Sequence, residues 1–287
     1  MPGAIERSSI VIRDIETISE IRHVELLEKE VWGCEDLDIV PLTLFAAARE
    51  SGGILIGAFD GSSLVGFAFG FVGQERGDIV HHSHMLGVKP SHRSFNLGYD
   101  LKLAQRDRAL QQGINRMTWT FDPLQSLNAY FNFRKLGVLS DNYKIDFYGE
   151  TTSSPLHQTG TDRLWVTWLL NSPRVNGRVE QNEPVDFDEL NQSSLIRCSD
   201  VNAPERASTI HDIGEVAAIE IPEDINSIER SQPNLARQWR EETRRAFSDA
   251  IAAGFIVTDF VRRTSNGKTA GVYILARGNM KEFQVEK

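Results

Sequence analysis

Between Ile54 and Val88 three strand-like runs follow one another with very little chain between them. Ile54–Phe59 reaches Ser63–Val72 through Asp60-Gly61, a strong hairpin signal. Ile79–Val88 follows after the polar stretch Gln74–Gly77 and is ended by Pro90.

Upstream, Ser9–Ile15 alternates as a first strand, and Glu16–Trp32 has helical spacing and a stop at Gly33. Leu42–Arg49 is a second short helix, closed by Gly52-Gly53. Downstream, Asn96–Gln112 is a helix stopped by Gly113, with Leu97, Leu101 and Ala104 on one stripe and Leu103 and Leu110 on another. Met117–Asp122 alternates with period 2, placing Met117, Trp119 and Phe121 opposite Thr118, Thr120 and Asp122, and Pro123 ends it. A helix is expected over Ser126–Leu136, with Gly137 as its stop. Strands at Tyr143–Tyr148 and Leu164–Leu170 flank a polar loop, Thr151–Asp162. The order is β-α-α-β-β-β-α-β-α-β-β over about residues 9–171. Residues 172–184, with the polar and unpatterned Pro173–Pro184, are expected to be a linker. Residues 185–287 hold a strand at Val216–Ile221, a helix at Asn234–Ala253 and strands at Phe255–Val261 and Gly271–Ala276, so a smaller α/β segment is expected there.

At 287 residues the chain is one large domain, or one domain with an appendage. Its 31 basic against 40 acidic side chains, net charge -9, exclude the basic excess that a nucleic-acid-binding face needs. No apolar run approaches the ~20 residues that span a bilayer, and the N-terminus lacks the apolar stretch of a signal peptide. Cys34 and Cys198 cannot form a disulfide framework. A soluble cytoplasmic protein is the expectation.

Leu86–Gly98, LGVKPSHRSFNLG, follows a strand and opens a helix. Such a junction turns successive backbone N–H groups and the positive end of a helix dipole into one concavity, which suits an anionic pyrophosphate. Small residues at 94, 96 and 98 let a ligand approach the backbone. An ordinary strand–turn–helix junction has the same outline.

The segment resembles the acyl-CoA-binding loop of the GNAT superfamily of N-acyltransferases, through Val88, Pro90, Arg93, Leu97 and Gly98. Asn96 stands where the family's first glycine is usual, and Ser94 where glycine or arginine is. A second family element appears at Phe131–Val138, FNFRKLGV. Trp119–Leu124, Asn128–Asn132 and Glu220-Ile221-Pro222 extend the likeness to a bacterial subgroup of predicted acetyltransferases. The resemblance implies the GNAT fold, an α/β (α+β) domain with a mixed, mostly antiparallel sheet flanked by helices, here with the C-terminal segment added.

It further implies that backbone groups of Leu86, Gly87 and Val88 meet the pantetheine arm and polarise the thioester. His92, Arg93, Ser94, Phe95, Asn96, Leu97 and Gly98 would hold the pyrophosphate, and Asn128 is a candidate pantetheine contact. Where many members place a tyrosine as general acid, this chain has Phe133, so Tyr130 is the candidate replacement, with a plain core role as its alternative. For the general base the candidates are His82 and His84 in His81-His82-Ser83-His84, since a neutral imidazole can take a proton from an attacking ammonium. Period 2 puts His82 and His84 on one face with Leu86 and Val88, unless a bulge intervenes. A hydrogen-bonded strand surface is the alternative, and no metal is expected. Asp122 could orient the histidine, bind the amine or cap its turn. Glu35, Asp36 and Asp38 would form either an acidic rim for a cationic acceptor or a solvated loop.

In the second half, Leu235, Trp239, Ala246 and Ala250 are expected core. Arg237, Arg240, Arg244 and Arg245 form either a salt-bridged surface or the partner of a substrate carboxylate. The helix–strand–strand pattern ending the chain is either a degenerate half-repeat or a hairpin added to the first domain's sheet. No cysteine or serine sits in a nucleophile motif. The expected reaction is direct acyl transfer in a ternary complex, from acetyl-CoA, succinyl-CoA or another acyl-CoA to a primary amine of a small molecule, amino acids included. Neither nucleic acid nor membrane is an expected partner, and a homodimer is allowed. The rival readings are a CoA-binding sensor or assembly module without catalysis and a protein-lysine acetyltransferase.

Overall fold

A computed structural model describes residues 9–33, 35–149, 159–181, 194–199, 201–265 and 267–283. The chain forms two compact units, divided between Trp119 and Thr120. No helix among the described residues is long and apolar enough to cross a membrane.

The first unit is built on an antiparallel meander that contains the three strand-like runs. β1 (Ile10–Asp14), β2 (Ile54–Asp60), β3 (Ser63–Glu75) and β4 (Asp78–Val88) are neighbours in that order and all antiparallel. β5 (Arg116–Phe121), whose first four residues belong to this unit, joins β4 in parallel. Helices α1 (Ile18–Trp32) and α2 (Leu42–Glu50) cover one face and α3 (Leu97–Gln111) the other. The two faces follow from alternation in β3. Phe67 and Phe69 pack with Ile21, Val24 and Leu27 of α1 and Phe45 of α2, whereas a side chain at Gly66 would meet Leu101 of α3. Burial on both sides explains why β2 reads as a continuous apolar run. α1 starts at a capping box between Thr17 and Glu20 and ends at Gly33 with φ 67°.

The buried stripe of α3 corrects the apolar expectation. It comprises Leu97, Leu101, Lys102, Gln105 and Ala109, so two polar residues stand where aliphatic ones were expected. Glu28 on α1 is also buried and accepts the Val40 amide at 2.9 Å, while neighbouring Glu25 accepts the Leu42 amide at 2.6 Å. Together they tie the α1–α2 loop to its helix. Burial raises the Glu28 pKa to about 7. A carboxyl raised in the fold gives stability that is fully present below its unfolded pKa, near 4.5, and lost as pH rises through 7. Glu28→Gln is therefore expected to stabilise the protein by up to about 3 kcal/mol at pH 8 and by less than about 1 kcal/mol at pH 5. Urea unfolding at the two pH values checks this, and a pH-independent difference would refute it.

In the second unit the strands run β7 (Arg163–Leu169), β6 (Leu139–Lys144), β11 (Phe255–Ser265), β12 (Lys268–Arg277), β10 (Val216–Pro222), β8 (Ser194–Cys198), β9 (Pro204–Arg206). All neighbours are antiparallel except β8 and β10. β11 pairs with β6 through Val257 and Ser140, so the C-terminal hairpin extends the β6–β7 sheet.

Helix α4 (Ser126–Ala129) continues as a π-helical turn, Tyr130–Lys135, rather than as a uniform α-helix. β6 begins earlier than the strand expected at Tyr143–Tyr148, and residues 145–148 form a turn. Part of the expected linker is helical. Ser172 caps α5 (Pro173–Asn176), Pro173 suits the first helical position, Val175 is buried, and a π-helical turn follows at Gly177–Gln181. Residues 182–184 lie outside the described residues, as does most of the loop expected at Thr151–Asp162. Of two further helices, α7 (Pro233–Ala252) packs beside β6, β10 and β11, and α6 (Ile225–Ser231) packs against α7.

Candidate functional site

β4 carries the strand end on which the expected site depends. Its ladder with β3 pairs Gly70 with Ser83 and Phe69 with Met85, which leaves His84 unpaired in a bulge. The bulge corrects the period-2 expectation. His82 and His84 share the α1–α2 face, with ring centroids 6.4 Å apart and 5.4 and 5.8 Å from that of Phe71. Leu86 and Val88 turn to the α3 face instead. Leu86 Cδ2 lies 3.4 Å from where a Cβ on Gly98 would be, and Val88 reaches Gly66 beside Leu101. Gly87 takes the ring of Trp32 from the α1 side.

Along its other edge β4 pairs with β5 only at His81–Met117 and His82–Thr118. Beyond His82 the main-chain groups of β4 on that edge have no strand partner among the described residues. An opened edge beside a bulge offers N–H donors to a bound carbonyl, as the reading of Leu86, Gly87 and Val88 required.

The loop after β4 is a 3-10 turn, Pro90–Phe95, followed by Asn96 at φ 62°. Asparagine tolerates this left-handed conformation, which is why it can stand where a glycine is usual. Arg93, Ser94 and Asn96 are exposed, and Arg93 Nε donates to the Val88 carbonyl at 3.2 Å. His92 is buried, with Nδ1 2.8 Å from Ser91 Oγ and Nε2 3.7 Å from Asp60, so its ring is directed toward the end of β2. The Asn96 side chain does not cap α3, and the first helical bonds come from Tyr99 and Asp100 to the Asn96 carbonyl. The N–H groups of Leu97 and Gly98 therefore have no acceptor in the helix. A Cβ on Gly98 would touch only Leu86 Cδ2, at ordinary contact distance, so internal crowding does not require glycine there.

Burial lowers the pKa values of all three histidines in the strand. His82 falls to about 4, through burial, then the neighbouring His84 and Lys102. His81 falls to about 3, through burial, then Lys102 and His82. His84 is lowered by burial alone and makes no hydrogen bond to another described residue. His82 Nδ1 lies 3.1 Å from Thr118 Oγ1, which fixes the orientation of that ring. Thr118 was missed in the sequence, although its place on the parallel neighbour of His82 follows once the register is known.

Glu35, Asp36 and Asp38 are exposed, and Asp36 pairs with Lys29. The candidates Asn128, Tyr130 and Asp122 lie in the second unit. Asn128 is exposed, and Tyr130 is half-buried beneath the Arg262 guanidinium, 4.9 Å from its ring centroid. Phe133 is core, edge-on to Phe121 and Tyr273. Asp122 accepts two hydrogen bonds from Arg240 and one from the Leu124 amide, so its carboxylate is engaged within the fold. Arg244 is likewise engaged, by Asp146 and Asp162, which takes Arg240 and Arg244 out of the substrate-carboxylate role. Burial, then Glu220, raises the Cys198 thiol to about 11, against a nucleophilic thiolate. Cys34 lies outside the described residues.

From β1 to β7 the element order is β-α-α-β-β-β-α-β-α-β-β. That is the order of the GNAT fold. No protein-family model matches the chain, and no curated protein matches it in sequence. Among solved structures it is similar to the ribosomal-protein-S18-alanine N-acetyltransferase of Escherichia coli, at 13% identity and TM-score 0.45, over 63% of this chain and 98% of that one. It is also similar to an aminoglycoside 6'-acetyltransferase type Ii, at 18% identity and TM-score 0.45, over 56% and 97%. A third is a GNAT family acetyltransferase from Elizabethkingia anophelis with acetyl-CoA bound, at 13% identity and TM-score 0.45, over 56% and 98%.

Proposed function

We propose that the protein is an acyl-CoA-dependent N-acyltransferase of the GNAT type, transferring an acetyl or succinyl group to a primary amine of a small molecule. The observation that carries the reading is the opened edge of β4 beyond His82, directly before the uncapped N-terminus of α3 at Leu97–Gly98. These are the two features a thioester on a pantetheine–pyrophosphate arm needs, and both lie on one continuous stretch of chain.

The N–H groups of Leu97 and Gly98, with Arg93 beside them, would hold the pyrophosphate. The main chain of β4 at the bulge would donate to the thioester oxygen and to the oxyanion that forms from it. His84, neutral at physiological pH and without a hydrogen bond to another described residue, would take the proton of the attacking ammonium. The amine nitrogen bonds to the carbonyl carbon, the carbon–sulfur bond breaks, and the thiolate takes, through water, the second proton that the nitrogen loses. His82, held by Thr118, would flank the base.

Calorimetric titration with acetyl-CoA, succinyl-CoA and free CoA, followed by thiol release over a panel of amines and amino acids, tests the reading. Saturable binding with amine-dependent release is expected. Binding without turnover on any acceptor would favour the sensor module, and no binding would overturn the reading. Gly98→Ala sharpens the test. Alanine is the better helix former by up to about 1 kcal/mol and meets only Leu86, so stability should hold or rise. The added methyl would stand over the phosphate-binding amides, and acyl-CoA affinity is expected to fall at least about tenfold. Undiminished affinity would remove Gly98 from the site.

A further inference from the structure

Between β4 and α3 lies a layer of four buried polar side chains that the proposed chemistry does not use. His81 and Ser83 come from β4, Lys102 and Gln105 from α3, and Lys102 is only 3% exposed. They form a directed chain. Lys102 Nζ donates to Ser83 Oγ at 2.7 Å, Ser83 Oγ donates to Gln105 Oε1 at 2.7 Å, and Gln105 Nε2 lies 3.3 Å from His81 Nε2. Lys102 Nζ also sits 3.7 Å from the centroid of the Trp119 ring. No carboxylate pairs with Lys102 among the described residues, and burial holds its pKa well below the usual lysine value.

The chain ends on the residues that define the bulge. Ser83 is the last paired residue before His84, and its partner is Gly70. A Cβ on Gly70 would lie 2.3 Å from His81 Nε2 and 2.5 Å from the His82 carbonyl, so the ring of His81 seats on bare backbone at the same step. At the other end Lys102 stands one helical turn from Gly98. Burying an amine without a counter-charge is unfavourable, and a methionine would fill the same length of core at lower cost. Packing alone therefore gives no reason for a lysine at this place.

We propose that Lys102 is a positioning residue. Through Ser83 and Gln105 it locks the β4 bulge to α3, so that the strand that polarises the thioester and the helix end that holds the phosphates share one fixed geometry. The role rests on the acyltransferase reading, but the lock itself can be measured without turnover.

Lys102→Met and Ser83→Ala are the variants, compared with the wild type by hydrogen–deuterium exchange over residues 78–88, thermal unfolding, acyl-CoA affinity and steady-state kinetics. For Lys102→Met the expected result is an unchanged or raised Tm, faster amide exchange around the bulge, acyl-CoA affinity within about threefold, and kcat lower by about 30-fold or more. Ser83→Ala should speed exchange at the same amides and lower kcat in the same direction. Unchanged exchange in both variants would overturn the lock, whatever the activity. Faster exchange with unchanged kcat would overturn the positioning role. A loss of acyl-CoA affinity equal to the loss of kcat would overturn it too, because Lys102 would then serve binding. A wild type that neither binds acyl-CoA nor turns over would sink the acyltransferase reading and the positioning role with it, leaving exchange to decide the lock alone.

Discussion

Replacing His84 with alanine is expected to lower kcat by about 10²- to 10³-fold while leaving acyl-CoA affinity within about threefold, because a positioned general base contributes on that scale. The bulge in β4 separates His84 from the ladder and turns its ring to the α1–α2 face beside Phe71 and His82. Of the two candidate histidines, His82 is brought to about 4 by burial, then by His84 and Lys102, which makes it a weak base. His82→Ala should therefore cost less, about tenfold. The pH dependence carries a definite sign. Burial lowers the His84 pKa, so the neutral, proton-accepting form persists below the ordinary histidine value, and the acid limb of kcat/KM should lie below pH 6.5. In His84→Ala the acceptor must arrive already deprotonated, so the defect should shrink as pH rises towards the amine's own pKa. Thiol-release rates from pH 5.5 to 9.5 read both effects. A His84→Ala profile parallel to that of the wild type would show that His84 is not the base.

Much of the first unit was legible in the sequence because its strongest signals are local. The Asp60-Gly61 hairpin, the glycine stops and the strand–loop–helix junction at Leu86–Gly98 depend on neighbours a few residues away, and the structure places them as read. The bulge was not legible. A single unpaired residue leaves no mark on alternation until the partner strand is known, and it alone moved Leu86 and Val88 off the face of the histidines. Lys102, Gln105 and Ser83 were missed for another reason. An apolar stripe is searched for with apolar residues, and these three satisfy one another inside the core. Lys102 does fall on the helical stripe of Leu97, Leu101 and Ala109, which was the available clue. The second unit was less legible because its organisation is long-range. β11 joins β6 across more than a hundred residues, and no local pattern announces that pairing. The same holds for Asp122, whose alternation put it at a strand end but whose partner lies 118 residues away.

That partner leads to the largest expected stability effect. Arg240 binds Asp122 through both terminal nitrogens, at 2.7 and 2.8 Å, and the two side chains are only 4% and 12% exposed. Asp122 also accepts the Leu124 amide at 3.0 Å, holding the turn after β5, while Tyr273 donates to the Pro123 carbonyl at 2.7 Å. Arg240 Nε has no hydrogen-bond partner among the described residues, so the fold relies on Asp122 to neutralise the guanidinium. Asp122→Ala strands that charge and is expected to cost about 3–5 kcal/mol. In a chain of this size such a loss lowers Tm by roughly 10 °C. The double variant Asp122→Leu/Arg240→Met removes both charges and should recover most of the loss, since a buried pair is often worth little more than an apolar replacement of similar volume. Denaturant unfolding of the two single variants and the double variant measures the coupling directly. The same set separates the structural role from the acceptor-binding role that the sequence left open for Asp122. If Asp122 serves only the fold, the refolded double variant regains the wild-type KM for the amine. If it binds the acceptor, stability returns and KM stays high.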